Sequence, residues 1–255
     1  RNRIASVSST MQITSAMKMV SAAKLKKAQD AITAMRPYAN KLTELLQNLS
    51  ATLDADSGSK YSEQRDVKNV LIVAITSNRG LCGAFNSNII KQANLVAERY
   101  DANVSVVAIG KKANDALSKN FEIISNQSPV YDDLTFDNVA EIAEMLMEQF
   151  ESKAFDKIEI IYNKFKNAAT QEIMTEQFLP IEPLEGDANA NLDYIFEPSK
   201  EEIVETLIPK SLKTQLYKSI RDSFASEHGA RMTAMHRATD NAKELRDQLK
   251  LTYNK

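Results

Sequence analysis

The chain has 255 residues, enough for one core of ordinary size or for a core plus an appendage. Its 34 acidic and 32 basic residues nearly cancel, leaving a net charge of −2, so bulk charge does not point to nucleic acid. The longest clean apolar run, Val70 to Ile75, falls far short of the about 20 residues that cross a bilayer, and a single cysteine, Cys82, excludes an internal disulfide or a cysteine-ligated zinc site. Any membrane association is therefore expected to go through a partner.

The opening Arg1-Asn2-Arg3-Ile4 lacks a starting methionine and reads as the interior of a helix; no secretory or transit segment is visible. From Arg1 to about Leu53 there is no glycine, and Leu25, Ala28, Ile32, Met35, Tyr38, Leu42, Leu45 and Leu49 step by threes and fours. That stripe predicts one long helix with a buried face, kinked at Pro37, where a backbone hydrogen bond is lost. The polar stretch Asp54 to Gln64, with Gly58, predicts a loop.

Between Val67 and Glu197 the character changes. Asn69 to Ile75 predicts a buried strand, followed by a turn holding Gly80 and Gly83 and a helix from about Ser87 to Tyr100. Val104 to Ile109 reads as a second strand, Lys111 to Ser118 as a short helix, and Phe121 to Ile124 as a third strand. Phe136 to Lys153 is an acidic amphipathic helix, Ile158 to Tyr162 a fourth strand, and Thr170 to Phe178 an added one. Strands alternating with helices predict a mostly parallel, Rossmann-like α/β sheet. From Ser199 to Lys255 helical spacing returns (Ile203, Leu207, Leu212, Leu216, Ile220), with Pro209 and Gly229 as weak points.

At about 1.5 Å per residue each terminal helix would run roughly 80 Å, whereas a domain the size of the middle segment is only about 35 Å across. Each helix should therefore overhang the domain by more than its width, and an antiparallel pair is the simplest way to bury both stripes. The expected architecture is a rod on a foot: a long antiparallel coiled coil of the helices at 1–53 and 199–255, plus a Rossmann-like α/β domain at 67–197. If both arms rise at one rate, paired positions should sum to about 250. Met17 then lies within a turn or two of Arg231 to Met235, Leu42 lies near Ile208, and residues beyond about 250 lack a partner.

The overhanging arms are rich in serine, alanine and threonine, and Met11, Met17, Met19, Met232 and Met235 add soft, polarisable surface. Composition alone reads this equally as a core seam with methionine filler or as a contact surface. Charge tilts the balance toward contact. Before Asp30 the chain carries Arg1, Arg3, Lys18, Lys24, Lys26 and Lys27 and no acid, whereas a solvated helix interleaves its signs. This one-signed collar suits an acidic partner surface or nucleic acid, and no nucleic-acid motif or aromatic platform supports the second.

The foot shows no catalytic constellation. The turn Thr76-Ser-Asn-Arg-Gly-Leu-Cys-Gly-Ala-Phe-Asn86 sits where Rossmann folds bind dinucleotide phosphates, but matches neither glycine-rich phosphate motif and contains no lysine. Cys82 beside Arg79 reads as a small packing residue before it reads as a nucleophile. The acids from Asp132 to Glu151 read as a solvated or docking face. No cofactor is implied.

Three stretches closely resemble the γ subunit of ATP synthases: Ile13 to Gln29, Thr76 to Asn86, and Ser226 to Ala242; Asp193-Tyr-Ile-Phe-Glu-Pro198 matches as well. The resemblance covers essentially the whole chain. It implies a non-catalytic central shaft turning inside a ring of α and β subunits, with the foot on the membrane c-ring and bound to the ε subunit. It puts Met17, Lys18, Lys24, Lys26, Lys27, Arg231, Met232 and Met235 where the shaft meets acidic β-subunit loops, and Tyr194, Ile195, Phe196 and Glu197 near the c-ring. It implies no direct membrane insertion and no nucleic acid. A peripheral place on the cytoplasmic face of a bacterial inner membrane fits best, a mitochondrial one being the alternative. Two departures stand out: the family's last helix continues past Tyr253-Asn254 through a stretch absent here, and the cysteine pair of chloroplast relatives is missing, which argues against light-linked redox control. The rival readings are an enzyme with a degenerate Rossmann site and a coiled-coil nucleic-acid-binding or scaffold protein.

Overall fold

A computed structural model describes residues 1–50, 60–182 and 199–254. Leu53, most of the expected loop after it, and Tyr194, Ile195, Phe196 and Glu197 lie outside the described residues. In chain order the elements are α1 (Asn2–Ser50), β1 (Asn69–Ile75), α2 (Phe85–Ala97), β2 (Asn103–Ile109), α3 (Lys111–Leu117), β3 (Glu122–Asn126), α4 (Phe136–Glu151), β4 (Lys157–Phe165), β5 (Gln171–Leu179) and α5 (Lys200–Asn254). A 3-10 turn, Ser128–Tyr131, precedes α4 and had no clear sequence signal beyond Pro129.

The five strands form one sheet in the order β3-β2-β1-β4-β5. The first four are parallel and β5 joins antiparallel to β4. β1 lies at the centre and is buried along almost its whole length, which is why its sequence is a continuous apolar run rather than an alternation. Its side chains still alternate between faces. Val70, Ile72 and Ala74 pack with Ile89, Ala93 and Leu117 of α2 and α3. Leu71, Val73 and Ile75 share a core with Leu146 and Phe150 of α4 and with Ile208, Leu212, Leu216 and Ile220 of α5. The lower half of the last helix is thus a cover for the sheet as well as an arm of the shaft.

The two long helices run antiparallel. Both continue through their prolines, Pro37 and Pro209. The residues four back, Thr33 and Glu205, are exposed, so the carbonyl that loses its donor at each proline can turn to water. Pairs across the shaft cluster around the expected register: Tyr38 under Lys210, Thr14 against Thr239, Met11 against Arg246, and Arg1 against Tyr253. Tyr253 accordingly has a partner, because α1 begins level with it, and the lone upper helix expected beyond about residue 250 does not start there. The overhang is also shorter than expected. Thr233 of α5 still bonds to the β4–β5 turn, which leaves about 30 Å of paired helix above it.

Candidate functional site

The collar predicted on α1 divides by exposure. Lys24, Lys26 and Lys27 are exposed, and Met17 and Lys18 are half-buried. Its counterparts on α5 face inward. Arg231 and Met235 are buried, and Met232 packs against Leu25, Ala28, Ile32 and Ala225 in the seam. Small residues make that seam narrow: Thr14 and Ser21 are buried beside the aliphatic positions, and the Thr14 and Thr239 hydroxyls lie 2.8 Å apart.

Two large apolar residues on the outer face of α1 escaped the sequence reading, Ile13 at 60% and Val20 at 56% exposure; Met19, expected as soft surface, is 62% exposed beside them. The signal was there, since Ile13 and Val20 are seven apart and each precedes a seam residue, Thr14 or Ser21, so neither can lie in the seam. Leu81 joins them from the foot. It is 63% exposed and has φ of 62°, a left-handed conformation that costs a non-glycine residue about 1 kcal/mol. Ile13, Met17, Val20 and Leu81, with Lys24 and Arg79, line a cleft of about 600 Å³ between shaft and foot.

Below that cleft the turn after β1 is tied down by its own side chains. Asn86 Oδ1 accepts from the Ser77 amide at 2.9 Å, and the Ser77 hydroxyl donates to the Arg79 carbonyl. Asn78 accepts from the Lys111 amide and donates to the Ser128 carbonyl, joining three loops. Gly110 is required beside it, because at φ 107° an added Cβ would stand 2.3 Å from the Thr76 carbonyl oxygen. On its shaft side the turn offers carbonyls: the Arg231 guanidinium donates to the Arg79 and Gly80 oxygens at 3.2 Å each. Arg231 also pairs with Glu227 at 2.6 Å, both side chains being over nine-tenths buried. These carbonyl oxygens repel a phosphate, and the Arg231 cation is already matched by Glu227.

Burial dominates the electrostatics here. It pushes the Glu227 carboxyl up despite Arg231, Lys24 and Arg79 opposing it. It drives His228 down to about 3, helped by the positive charges of Arg231 and Lys24, so the ring is neutral; neither ring nitrogen has a partner among the described residues. Burial also raises the Cys82 thiol, more than Arg231 lowers it, which leaves a packing residue rather than a nucleophile. No group of three or more metal-ligating side chains stands together among the described residues.

The family described as ATP synthase matches residues 1–255. The ATP synthase gamma chain of Flavobacterium psychrophilum is 73% identical over 257 residues, covering 100% of this chain and 90% of its own. This chain belongs to the ATP synthase gamma-chain family. The gamma chain of Flavobacterium johnsoniae is 72% identical with the same coverage. Among solved structures, the central stalk and c-ring of the Tetrahymena thermophila mitochondrial ATP synthase contains a chain that matches with a TM-score of 0.66 and 27% identity, covering 89% of this chain and 99% of that one. A rotor chain of the Euglena gracilis mitochondrial enzyme shares the fold at a TM-score of 0.68 and 23% identity, over 100% of this chain and 94% of its own. Gamma-chain membership removes the nucleic-acid and scaffold reading. It also gives the collar a context, as a surface on the shaft of a multi-subunit machine. No helix among the described residues is long and apolar enough to cross a membrane.

Proposed function

We propose that this chain is the central-stalk rotor of a rotary ATP synthase, coupling proton translocation to ATP synthesis or hydrolysis without catalysing either. The observation that carries this reading is the upper shaft, where two antiparallel helices pair with each other from Thr14–Thr239 to Arg1–Tyr253, above the Thr233 bond to the foot. Turning such an asymmetric shaft inside a ring presents different faces to successive subunits. Each face favours a different conformation of the subunit it meets, a differential-contact form of allostery.

In this reading Lys24, Lys26, Lys27, Lys18 and Met17 present the charged contact face to acidic β-subunit loops. Arg231, Met232 and Met235 support it from the seam. The partners are the α and β subunits, the ε subunit at the foot, and the membrane c-ring, met near Tyr194 to Glu197. The division of labour is shaft at 1–53 and 199–255, foot at 67–197. The complex would sit on the cytoplasmic face of a bacterial inner membrane, this chain held there by partners. The carbonyl-lined turn after β1 supports a non-catalytic role, since it has the wrong polarity for nucleotide phosphates.

Co-purification tests the reading. The chain should bring down α and β subunits in a fixed low ratio, and the isolated chain should bind no ATP or ADP by calorimetry. Stoichiometric nucleotide binding, or a chain that purifies alone from cells making all subunits, would overturn it.

A further inference from the structure

The face of α5 that meets the foot changes chemistry halfway up. Below Ile220 it is mainly aliphatic, with Ile208, Leu212, Leu216 and Ile220 in the core of the sheet and Ser219 buried beside them. Above Ile220 it stays buried but turns polar, with Asp222, Ser223, Ser226, Glu227, His228 and Arg231 all under a tenth exposed. A helix needing only adhesion to a sheet would keep the aliphatic pattern, since burying polar groups costs free energy unless each is hydrogen-bonded.

Ser226 and Arg231 of this face, with Gln215, Arg221 and Thr233 beside it, are spent on main-chain carbonyls of the foot, whereas Asp222 Oδ1, Ser223 Oγ and both His228 nitrogens have no partner among the described residues. Gln215 donates to the Gln177 carbonyl at 3.4 Å, Arg221 to Leu134 at 2.7 Å, Ser226 to Asn163 at 3.0 Å and Thr233 to Ala168 at 3.1 Å. Arg231 donates to both Arg79 and Gly80. These acceptors come from five separate segments: the end of β5, the loop before α4, β4, the β4–β5 turn, and the turn after β1. The donors span Gln215 to Thr233, about 27 Å of helix. Beside them Gly229 lets the backbone come close, its missing Cβ position being only 3.1 Å from the Ala168 backbone.

Apolar packing is non-directional and permits sliding, whereas a hydrogen bond weakens steeply with displacement or misalignment. Rotating α5 about its axis, or sliding it along the foot, would misalign several of these bonds at once. We infer that this ladder of side-chain donors on α5 is the torque-bearing joint of the rotor, keying the shaft to the foot so that twist applied at one is delivered at the other. The inference rests on the rotor reading above and assigns Gln215, Arg221, Ser226 and Thr233 a positioning role in coupling, with Arg231 as the uppermost tie.

The test is the torsional stiffness of the assembled enzyme, read from angular fluctuations of a probe on Cys at Lys119→Cys in a Cys82→Ser background, with the α/β ring fixed. The variant is Gln215→Leu, Arg221→Met, Ser226→Ala and Thr233→Val together, which keeps side-chain bulk and removes the donors. Stiffness should fall about twofold or more as the directional ties are lost. Unloaded ATP hydrolysis should be unchanged, while protons pumped per ATP should drop increasingly as the opposing proton gradient grows. A merely structural role would shift thermal stability and leave the load dependence alone. If the fourfold variant fails to assemble, Ser226→Ala with Thr233→Val decides, with a smaller change in the same direction. An assembled variant with wild-type stiffness and wild-type pumping under load would overturn the joint. A wild-type complex whose probe never rotates under ATP would instead remove the rotor reading beneath it.

Discussion

Thr14 and Thr239 face one another across the shaft with their hydroxyls 2.8 Å apart, and Thr239 passes its own proton back to the Met235 carbonyl one turn below, at 2.8 Å. Two β-branched residues bearing small polar groups at one level draw the helices together and set their register. Cysteines at Thr14 and Thr239, in a Cys82→Ser background, should close a disulfide on mild oxidation, because the hydroxyl oxygens that the sulfurs would replace already lie 2.8 Å apart. Cysteines at Thr14 and Phe224, about four turns apart along the shaft, should not close. The reverse pattern on a non-reducing gel would show the register to be wrong.

Two glycines make opposite predictions. Gly229→Ala gains helix propensity, and its Cβ meets a half-buried turn residue that can give by a few tenths of an ångström, so stability should stay within about 1 kcal/mol of wild type. Gly110→Ala combines a φ of 107° with a contact of 2.3 Å to the Thr76 carbonyl, and should cost about 3 kcal/mol or more. Urea unfolding of the two variants separates them; equal midpoints would contradict the geometry.

His228 should make the chain acid-sensitive. Its folded-state value, about 3, lies below the unfolded value of about 6.5. Above the unfolded value both states are neutral and nothing is lost. As pH falls below it, the unfolded chain takes up a proton that the folded chain refuses, and stability declines until about pH 3. Between about pH 7 and pH 5 this removes about 2 kcal/mol. His228→Leu should abolish that component. Asp222 and Glu227, whose carboxyls burial pushes up, act in the opposite sense, but they are common to both proteins and cancel in the comparison. Identical pH slopes for wild type and variant would show that the imidazole is not protected from protons.

The collar should act collectively. Replacing Lys18, Lys24, Lys26 and Lys27 together with glutamine is expected to leave the chain folded and lower the protons pumped per ATP. Single replacements should show little, since one exposed ion pair contributes only about 0–1 kcal/mol. Unchanged pumping by the quadruple variant would reduce the collar to a solubilising face.

Cys82 is 2% exposed and its thiol is held up by burial, so alkylating reagents should leave the native chain untouched and label it once unfolded. Mass spectrometry after a brief pulse with and without denaturant reads this directly, and rapid native labelling would mean the turn after β1 opens.

The elements along this chain were legible from periodicity because each is decided by local physics. Val70 to Ile75 reads as a doubly buried strand from its short length and β-branched residues, and α1 shows its seam at Leu25, Ala28 and Ile32 in its own three-four spacing. Even the register of the shaft followed, since two helices rising from one platform have little freedom in how they pair. The direction in which a side chain is spent was not legible. Arg231 is put at the contact surface by the family resemblance alone, and Met235 by that and by its soft side chain. Only the tertiary structure set Arg231 over the Arg79 and Gly80 carbonyls, a partnership across about 150 residues that no local pattern encodes. The same holds for Ser226 and Thr233, whose acceptors are main-chain oxygens. Every residue carries such an oxygen, so the sequence bears no mark of which ones are used. What chain order alone dictated was a rod and a foot; how they are keyed together depended on which backbone groups the sheet left pointing at α5.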